Sequence, residues 1–163
     1  MSTTMSALQR FFAAEAAYIT EGGDFAGMAA CLAPDVVMYQ AANLPYGGEW
    51  HGRDGIRRFM AAMGETWSSL EFLEQRFVVD GDAVVIYNVG RLRARATGRV
   101  LDTSVMQLIT FRDGLISEIR PFYLDTAAVM AAVSDTGTAL SDTAVGGARA
   151  GGPPGAPRTA RRE

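Results

Sequence analysis

The chain has 163 residues, of which 48% are hydrophobic and 20% charged, and its formal net charge is −3. This size and balance are those of a single soluble globular domain with a full core. A negative net charge without a basic stripe argues against nucleic acid as a partner. The single cysteine, Cys31, excludes an intramolecular disulfide and suits a reducing cytoplasm. We find no export signal and no apolar run of the ~18 residues that a membrane helix needs, so we expect a cytoplasmic protein without membrane contact.

The first part of the chain has the apolar spacing of helices. The stripe of the first predicted helix consists of Leu8, Phe11, Phe12, Ala16 and Ile19. We expect that helix to end at Gly22-Gly23. Asp24 is in place to cap a short second helix, which Pro34 ends, and a strand is predicted over residues 36–40.

Residues 41–52 are predicted to be a loop, because they include a proline and two consecutive glycines. The same segment carries Tyr46, Trp50 and His51. A loop with this many aromatic residues more often covers a pocket or an interface than extends into solvent. The apolar spacing of the residues that follow Gly52 predicts a third helix.

The second part of the chain predicts a meander of long strands. Alternating residues indicate strands over residues 69–79, 82–96, 99–112 and 115–124. Asp80-Gly81 and Asp113-Gly114 are typical of two-residue hairpin turns in which both residues have positive φ. A turn at residues 97–98 is predicted between them.

A last short helix is predicted to begin at Asp125. Beyond it the composition changes to Gly, Ala, Thr, Pro and Arg, with no aromatic residue. Such a segment cannot bury enough apolar surface to offset its chain entropy. We therefore predict a folded domain over residues 1–133 and a disordered tail over residues 134–163.

Charged residues predict which strand faces point outward. Arg91, Arg93 and Arg95 share one face of the second long strand, so this face should be exposed, with Asp102 of the next strand opposite Arg93. The opposite face of the sheet is then mostly aliphatic, with a few polar groups: Asn88, Thr103, Gln107 and Tyr123. Such a surface is typical of a small-molecule site, although the same groups could bond to one another in a filled core.

The order of predicted elements resembles the nuclear transport factor 2-like superfamily, and most of all its SnoaL-like polyketide cyclases and ketosteroid isomerase-like proteins. The motifs that carry the likeness are Glu21-Gly-Gly-Asp24, Asp35-Val-Val, Glu49-Trp-His-Gly-Arg-Asp-Gly-Ile56, the Gly81-Asp82 hairpin and Phe122-Tyr-Leu-Asp125. The resemblance covers roughly residues 6–133. It implies an α+β fold in which a curved antiparallel sheet, shaped as a cone-like barrel, wraps around the N-terminal helices. It also implies a hydrophobic pocket at the wide end and a homodimer formed through the outer face of the sheet.

The catalytic sets of the resembled enzymes are incomplete in this chain. The arginine and the first aspartate of limonene epoxide hydrolase would fall at Asn88 and Gly90, and its second aspartate at Pro121. Its pocket tyrosine is kept as Tyr39. The base aspartate of ketosteroid isomerase falls close to Gln40, and scytalone dehydratase needs two histidines where this chain has one.

Several side chains remain candidates for acid–base chemistry. His51 is the one side chain whose ordinary pKa lies near neutrality, and this makes it the default general acid or base. Asp125 follows Tyr123 and could act as a base at the rim, or it could cap the last helix. Glu71 or Glu74, if directed inward, would have a raised pKa in an apolar pocket and could donate a proton.

The remaining candidates would hold a ligand. Tyr39 is predicted to be catalytic with His51 and Asp125, because a phenol hydroxyl can polarise a ligand carbonyl. The predicted substrate-binding residues are Asn88, Tyr123, Gln107, Tyr18, Trp50 and Tyr46. We expect no metal, because one histidine and one cysteine cannot form a closed site, and no cofactor.

Three functions remain open from the sequence. The first is a cofactor-independent cyclase or isomerase acting by acid–base chemistry on a hydrophobic polyketide-, terpenoid- or steroid-like molecule. The second is a non-catalytic, dimeric module that binds a small ligand or docks a partner. The third is an enzyme like epoxide hydrolase that uses a non-standard carboxylate.

Overall fold

The computed structural model describes residues 3–21 and 24–134 of the chain. In chain order the elements are α1 (Thr3–Glu21), α2 (Ala26–Ala29), β1 (Leu32–Gln40), β2 (Gly48–His51), α3 (Gly52–Thr66), β3 (Trp67–Asp80), β4 (Ala83–Ala94), β5 (Val100–Arg112), β6 (Leu115–Tyr123) and α4 (Thr126–Val133). The predicted helix end at Gly22-Gly23 and the predicted tail beyond Ser134 lie outside the described residues. Over the described ranges, no helix has both the length and the apolar character needed to cross a membrane.

The strands form one curved sheet in the order β2-β1-β6-β5-β4-β3. The prediction of an α+β fold with a curved sheet around N-terminal helices is confirmed. Two details of that prediction differ. The pairing of β1 with β6 is parallel, so the sheet is mixed, and its edges at β2 and β3 stay open instead of closing into a barrel. Helix α3 joins β2 at one edge to β3 at the other and therefore crosses the inner face of the sheet.

The boundaries of the first strands differ from the prediction. Strand β1 begins at Leu32, so Pro34 lies inside a strand instead of ending a helix. The β1–β6 register shifts between Leu32 and Val37. Proline has no N–H to donate to the ladder, so it is tolerated in a strand at such an irregularity. The predicted loop also contains β2, which pairs with the end of β1. The carboxylate of Asp24 accepts a hydrogen bond from the N–H of Ala26 at 2.9 Å, at the start of α2.

The turns set the register of the meander. At the β5–β6 turn, Asp113 and Gly114 have φ values of 53° and 75°, as a two-residue hairpin with both residues at positive φ requires. The β3–β4 loop is instead Gly81-Asp82, and of these two residues only Gly81 has positive φ. The loop between β4 and β5 takes up four residues, 95–98, because Ala94 donates to the carbonyl of Arg99 at 2.9 Å.

That four-residue loop corrects one predicted contact. Asp102 pairs with Arg91 and not with Arg93. Because the observed β4–β5 register differs from the predicted one by two residues, each side chain stays on its predicted face. The predicted faces are therefore observed, with the arginines of β4 exposed and the alternate residues buried: Val84, Ile86, Asn88, Gly90 and Leu92.

Strand β3 contains a bulge that the sequence did not reveal. Phe72 pairs with Gly90 and Glu74 pairs with Val89, so Leu73 is an extra residue without a partner in the ladder. A bulge of this kind reverses the alternation beyond it and bends the strand. Phe72 before the bulge and Gln75 after it therefore both line the inner side of the sheet.

Candidate functional site

The space between the helices and the inner face of the sheet is a cavity of about 670 Å³. Helices α1 and α3 form one side, and strands β1 and β3–β6 form the other. The walls are mainly apolar and include Phe11, Phe12, Met28, Phe59, Met63 and Ile86. Small-molecule sites in proteins have this character, with apolar walls and a few placed polar groups.

The polar groups of the sheet form a band across the middle of the cavity floor. Pairing of adjacent strands puts Gln75, Asn88, Val105 and Tyr123 in one row. The amide nitrogen of Gln75 donates to the amide oxygen of Asn88 at 2.8 Å, which fixes both side chains. Gln107 lies in the next row, roughly 7 Å away along the strands. Both Gln107 and Asn88 line the cavity.

Tyr123 connects this band to a buried aromatic group beneath it. Its hydroxyl oxygen is 3.3 Å from that of Tyr46, and the indole N–H of Trp67 donates to the Tyr46 oxygen at 3.3 Å. Burial raises the pKa of both phenols, although the two hydrogen bonds that Tyr46 accepts act in the opposite direction on its own pKa. Both hydroxyls are therefore protonated near neutral pH, and that of Tyr123 donates to that of Tyr46.

The carboxyl group in the cavity is that of Glu15, on α1. Burial raises its pKa from the ordinary value of 4.5 to about 7, and no charged partner among the described residues contributes to the shift. The sequence prediction missed this residue because it assigned the stripe to Ala16, which is exposed. The spacing did contain the signal, since Glu15 follows Leu8 by seven residues and Phe11 by four.

Gln40, at the end of β1, is another polar group that the sequence prediction did not place in the site, as is Gln75 of β3. Val36, Met38 and Gln40 alternate on the buried face of β1, and Gln40 lines the cavity with 8% of its surface exposed. Its amide nitrogen donates to the sulfur of Met38 at 3.3 Å. Its amide oxygen has no hydrogen-bond partner among the described residues.

The predicted catalytic residues do not line the cavity. His51 lies on β2 with an exposed side chain, and its Nε2 is 2.9 Å from a carboxylate oxygen of Glu49. Tyr39 points to the outer face, where the guanidinium of Arg120 lies 3.8 Å from its ring centre. Asp125 caps α4, with its carboxylate accepting from the N–H of Ala128 at 2.9 Å. The structure therefore does not bring these three side chains together.

The predicted binding residues divide into two groups. Tyr18, Asn88, Gln107 and Tyr123 line the cavity. Tyr46 and Trp50 lie beside it within the aromatic core, where the indole of Trp50 donates to the backbone carbonyl of Tyr46 at 3.1 Å. These two side chains support the site and do not face its space.

The two glutamates of β3 point away from the cavity. Glu71 is opposite Arg91, and Glu74 forms an ion pair with Arg76 at 2.5 Å. The bulge at Leu73 is the reason that Gln75, instead of either glutamate, takes the inward position. Neither carboxylate is therefore available to a ligand in the cavity.

The rim of the cavity is apolar and partly open. Ile19 of α1 and Leu70 and Phe72 of β3 line the cavity, and they are 59%, 42% and 48% exposed. Arg95 also lies at this edge and donates to the carbonyls of Gly64 and Trp67. Exposed apolar side chains of α1 and β3 therefore lie at this edge of the cavity.

Comparison with known proteins gives one family. The SnoaL-like domain matches residues 8–119. An uncharacterized protein of Mycobacterium tuberculosis is 32% identical over 112 residues, which cover 65% of this chain and 81% of that protein.

Two solved structures have the same fold. One is a nuclear transport factor 2-like protein of unknown function from Burkholderia pseudomallei, with 24% identity, coverage of 82% of this chain and 99% of that chain, and a TM-score of 0.71. The other, from Jannaschia, is named as a candidate SnoaL-like polyketide cyclase, with 22% identity, coverage of 78% and 93%, and a TM-score of 0.62. The chain belongs to the SnoaL-like domain family of the nuclear transport factor 2-like superfamily.

Proposed function

We propose that this protein is a cofactor-independent cyclase or isomerase that transfers protons on a hydrophobic, carbonyl-bearing molecule of the polyketide, terpenoid or steroid kind. The observation that carries the proposal is the carboxyl group of Glu15 inside an apolar-walled cavity. A group with a pKa of about 7 is present in both protonation states near neutral pH. This is the condition under which general acid–base catalysis is most efficient.

Two side chains supply the chemistry in this proposal. The Glu15 carboxylate takes a proton from the carbon next to the ligand carbonyl. The electron pair of that C–H bond forms the C=C bond of an enolate, and the π pair of the C=O bond moves to the carbonyl oxygen. Tyr123 donates a hydrogen bond to that oxygen. Without a ligand Tyr123 donates to the buried hydroxyl of Tyr46 at 3.3 Å. When the Tyr123 proton turns to the ligand, rotation of the Tyr46 hydroxyl lets it donate to the Tyr123 oxygen in exchange.

The second half of the reaction decides between isomerisation and cyclisation. In an isomerase, Glu15 returns its proton to a different carbon of the enolate. In a cyclase, the enolate carbon forms a bond to a second carbonyl carbon of the same molecule, and Glu15 gives its proton to the oxygen of that carbonyl. Both routes return Glu15 to its starting state, so neither consumes an oxidant or a reductant.

A model ketone tests the proton transfer directly. We expect the protein to catalyse exchange of the α-protons of 1-tetralone in deuterium oxide, followed by NMR, and the rate to rise with pH through about 7. Glu15→Gln should lower the catalysed rate by about 100-fold or more, because the base is lost. His51→Ala, a change outside the cavity, should leave the rate unchanged.

The same experiment discriminates the remaining hypotheses. Binding of 1-tetralone without any catalysed exchange would refute the enzyme and leave the ligand-binding module. Exchange that survives in Glu15→Gln would refute the role of Glu15. An activity against an apolar epoxide that depends on Glu15, without ketone exchange, would favour the third hypothesis.

We also propose that two copies of the chain associate through the outer face of the sheet. Met106 pairs with Phe122 there, and these residues and Leu124 are 47%, 58% and 79% exposed. Positive and negative side chains both flank this apolar region, as in the Arg91–Asp102 ion pair. A surface that carries both charges can be complementary to an identical copy of itself. Met106→Glu should produce a monomer in sedimentation velocity, whereas Ile19→Glu, which removes a similarly exposed apolar residue from the rim, should not. A wild-type monomer at high concentration would refute the dimer.

A further inference from the structure

We propose that Gly90 is a specificity-determining residue of the cavity, because the space left by its missing side chain holds an apolar ring of the ligand. This inference names the substrate class of the site and rests on the proposed function. The ligand is then a ketone with an apolar ring at the end opposite its carbonyl, and Gly90 is the residue that admits this ring.

The argument starts from the position of Gly90 in the middle of a strand. Gly90 is buried in β4, where it lies between Asn88 and Leu92 on the inner side, and all three residues line the cavity. Glycine weakens the interior of a strand, because it has no side chain to pack and loses more chain entropy on folding than other residues do. A glycine at this position therefore calls for a physical reason.

The backbone conformation does not require a glycine there. Gly90 has no positive φ, so other residues can adopt the same conformation. The bulge lies next to the Phe72–Gly90 pair, but its extra residue, Leu73, belongs to β3 and not to β4.

Packing does not require a glycine either. A Cβ atom at Gly90 would lie 3.5 Å from the backbone oxygen of Glu71, which is an ordinary van der Waals distance. Its other neighbours would be Cδ1 of Leu70 at 3.7 Å and Cδ1 of Leu92 at 3.9 Å. Both leucines line the cavity, so the missing side chain would project into it. Glycine in a strand interior is found where a ligand approaches the backbone closely, and this is the reason that remains.

The surroundings of Gly90 define what this space accepts. Gly90 pairs with Phe72 on β3 and with Thr103 on β5, and both of these residues line the cavity. Together with Leu70 and Leu92 they make the surface mainly apolar. The ring of Phe72 can also pack against a second ring. An apolar ring therefore suits this space better than a polar group does.

The position of Gly90 relative to Tyr123 bears on the length of the ligand. Val105 of β5 pairs with both Asn88 and Tyr123, so Gly90 lies two strands away from Tyr123 and two residues further along. Their Cα atoms are thus about 12 Å apart along the sheet. A ketone that spans such a distance is longer than 1-tetralone, and its far ring, not its carbonyl, contacts Gly90.

The test uses two matched ketones, 1-tetralone and 6-phenyl-1-tetralone, titrated into the full chain in a calorimeter at pH 7. They share the carbonyl and its α-protons, and the second adds a ring at the far end. Wild type should bind the phenyl ketone about tenfold more tightly or better, because the added apolar surface is buried. Gly90→Val fills the space and should reduce this ratio to about twofold or less, while the affinity for 1-tetralone stays within about twofold of wild type.

Ala83→Val is the matched control. It adds the same branched side chain to the first residue of the same strand, at a position outside the cavity lining. This variant should keep the wild-type ratio. A loss of the preference in Ala83→Val as large as that in Gly90→Val would overturn the assignment to Gly90.

A stability measurement separates a role in binding from a role in the fold. Gly90→Val and Gly90→Ala should each raise the thermal denaturation midpoint of the unliganded protein by about 2–4 °C, because a strand residue with a side chain loses less entropy on folding. A lowered midpoint in both variants would mean that the fold requires this glycine, and would overturn the inference. Gly90→Ala also serves as the binding variant if the valine variant does not fold, and should lower the ratio by a smaller factor.

The remaining outcomes distinguish this inference from the proposed function. Equal binding of the two ketones by wild type, or an unchanged preference in the folded Gly90 variants, overturns the role of Gly90 even if 1-tetralone exchanges its α-protons. A preference that depends on Gly90 without that exchange supports the inference and refutes the proposed enzyme. Failure of the folded wild type to bind either ketone refutes both.

Discussion

Polar side chains on the two sides of the sheet differ in whether they have a hydrogen-bond or ion-pair partner. On the outer face, charges pair across and along the strands: Arg91 makes two 2.8 Å hydrogen bonds to Asp102, and Arg120 contacts Glu118 at 2.5 Å. On the inner side, which borders the cavity, Glu15 of α1 has no ion-pair partner among the described residues, and the amide oxygen of Gln40 on β1 has no donor there.

The difference separates polar groups that maintain the fold from polar groups left for a ligand. A paired surface charge is satisfied by its neighbour, and such pairs contribute little to stability. A buried and unpaired group reduces stability, so its presence calls for another explanation. The inner face is therefore where function is to be sought, although the charged residues of the outer face are more conspicuous in the sequence.

The largest expected effect concerns Glu15. Between pH 4.5 and about 7 the folded chain holds this proton more tightly than the unfolded chain, so the free energy of unfolding falls as the pH rises through that range. The loss amounts to about 3 kcal/mol at most. Glu15→Gln should remove this part of the pH dependence in urea denaturation at pH 5 and pH 8.

Glu118→Gln, on the outer face, is the matched control for that measurement. It should leave the difference in stability between the two pH values close to that of wild type. Identical pH dependence in wild type and Glu15→Gln would show that the carboxyl group is solvated, and would remove the contrast between the two faces at this residue.

An intermediate effect is expected from the hydroxyl beneath the cavity. Tyr46→Phe leaves the buried indole N–H of Trp67 without its acceptor, which should lower the free energy of unfolding by roughly 1–3 kcal/mol. Tyr39→Phe on the outer face keeps the ring that contacts Arg120 and should change stability by less than about 0.5 kcal/mol. Equal losses in the two variants, measured by chemical denaturation, would contradict this difference.

The smallest effect is expected from the ion pair on the outer face. A double-mutant cycle with Arg91→Ala and Asp102→Ala should give a coupling energy of about 0.2–1 kcal/mol, because both side chains are half exposed. The coupling should decrease in 1 M salt, where charges on the surface are screened. A coupling of several kcal/mol would mean that this ion pair is itself buried, inside the proposed dimer interface instead of at its flank.

Much of the fold was predictable because charged residues determine strand faces. Arg91 and Arg93 mark the outer side of β4, and strand pairing extends that assignment to β5. The exact register was not predictable, since a four-residue loop and a two-residue turn give the same alternation. The parallel position of β1 depends on long-range pairing that no local pattern indicates.

The site was less predictable than the fold. The apolar residues of α1 predict its buried stripe, but they do not predict that Glu15 belongs to it, because a glutamate is normally exposed. In β1, Tyr39 was predicted to be a site residue because of its phenol hydroxyl, whereas its neighbour Gln40 is the buried one. His51 was favoured for its ordinary pKa, whereas catalysis depends on position relative to the cavity, which only the tertiary structure gives.

The extra residue at Leu73 bears on how the length of the chain could vary within this fold. Deleting Leu73 would leave Phe72 opposite Gly90 and Glu74 opposite Val89, so every side chain of β3 would keep its face. The deletion would straighten the strand, because the bend comes from the bulge. A one-residue change in length at this point would thus reshape the cavity opening near Leu70 and Phe72 without altering any residue inside it.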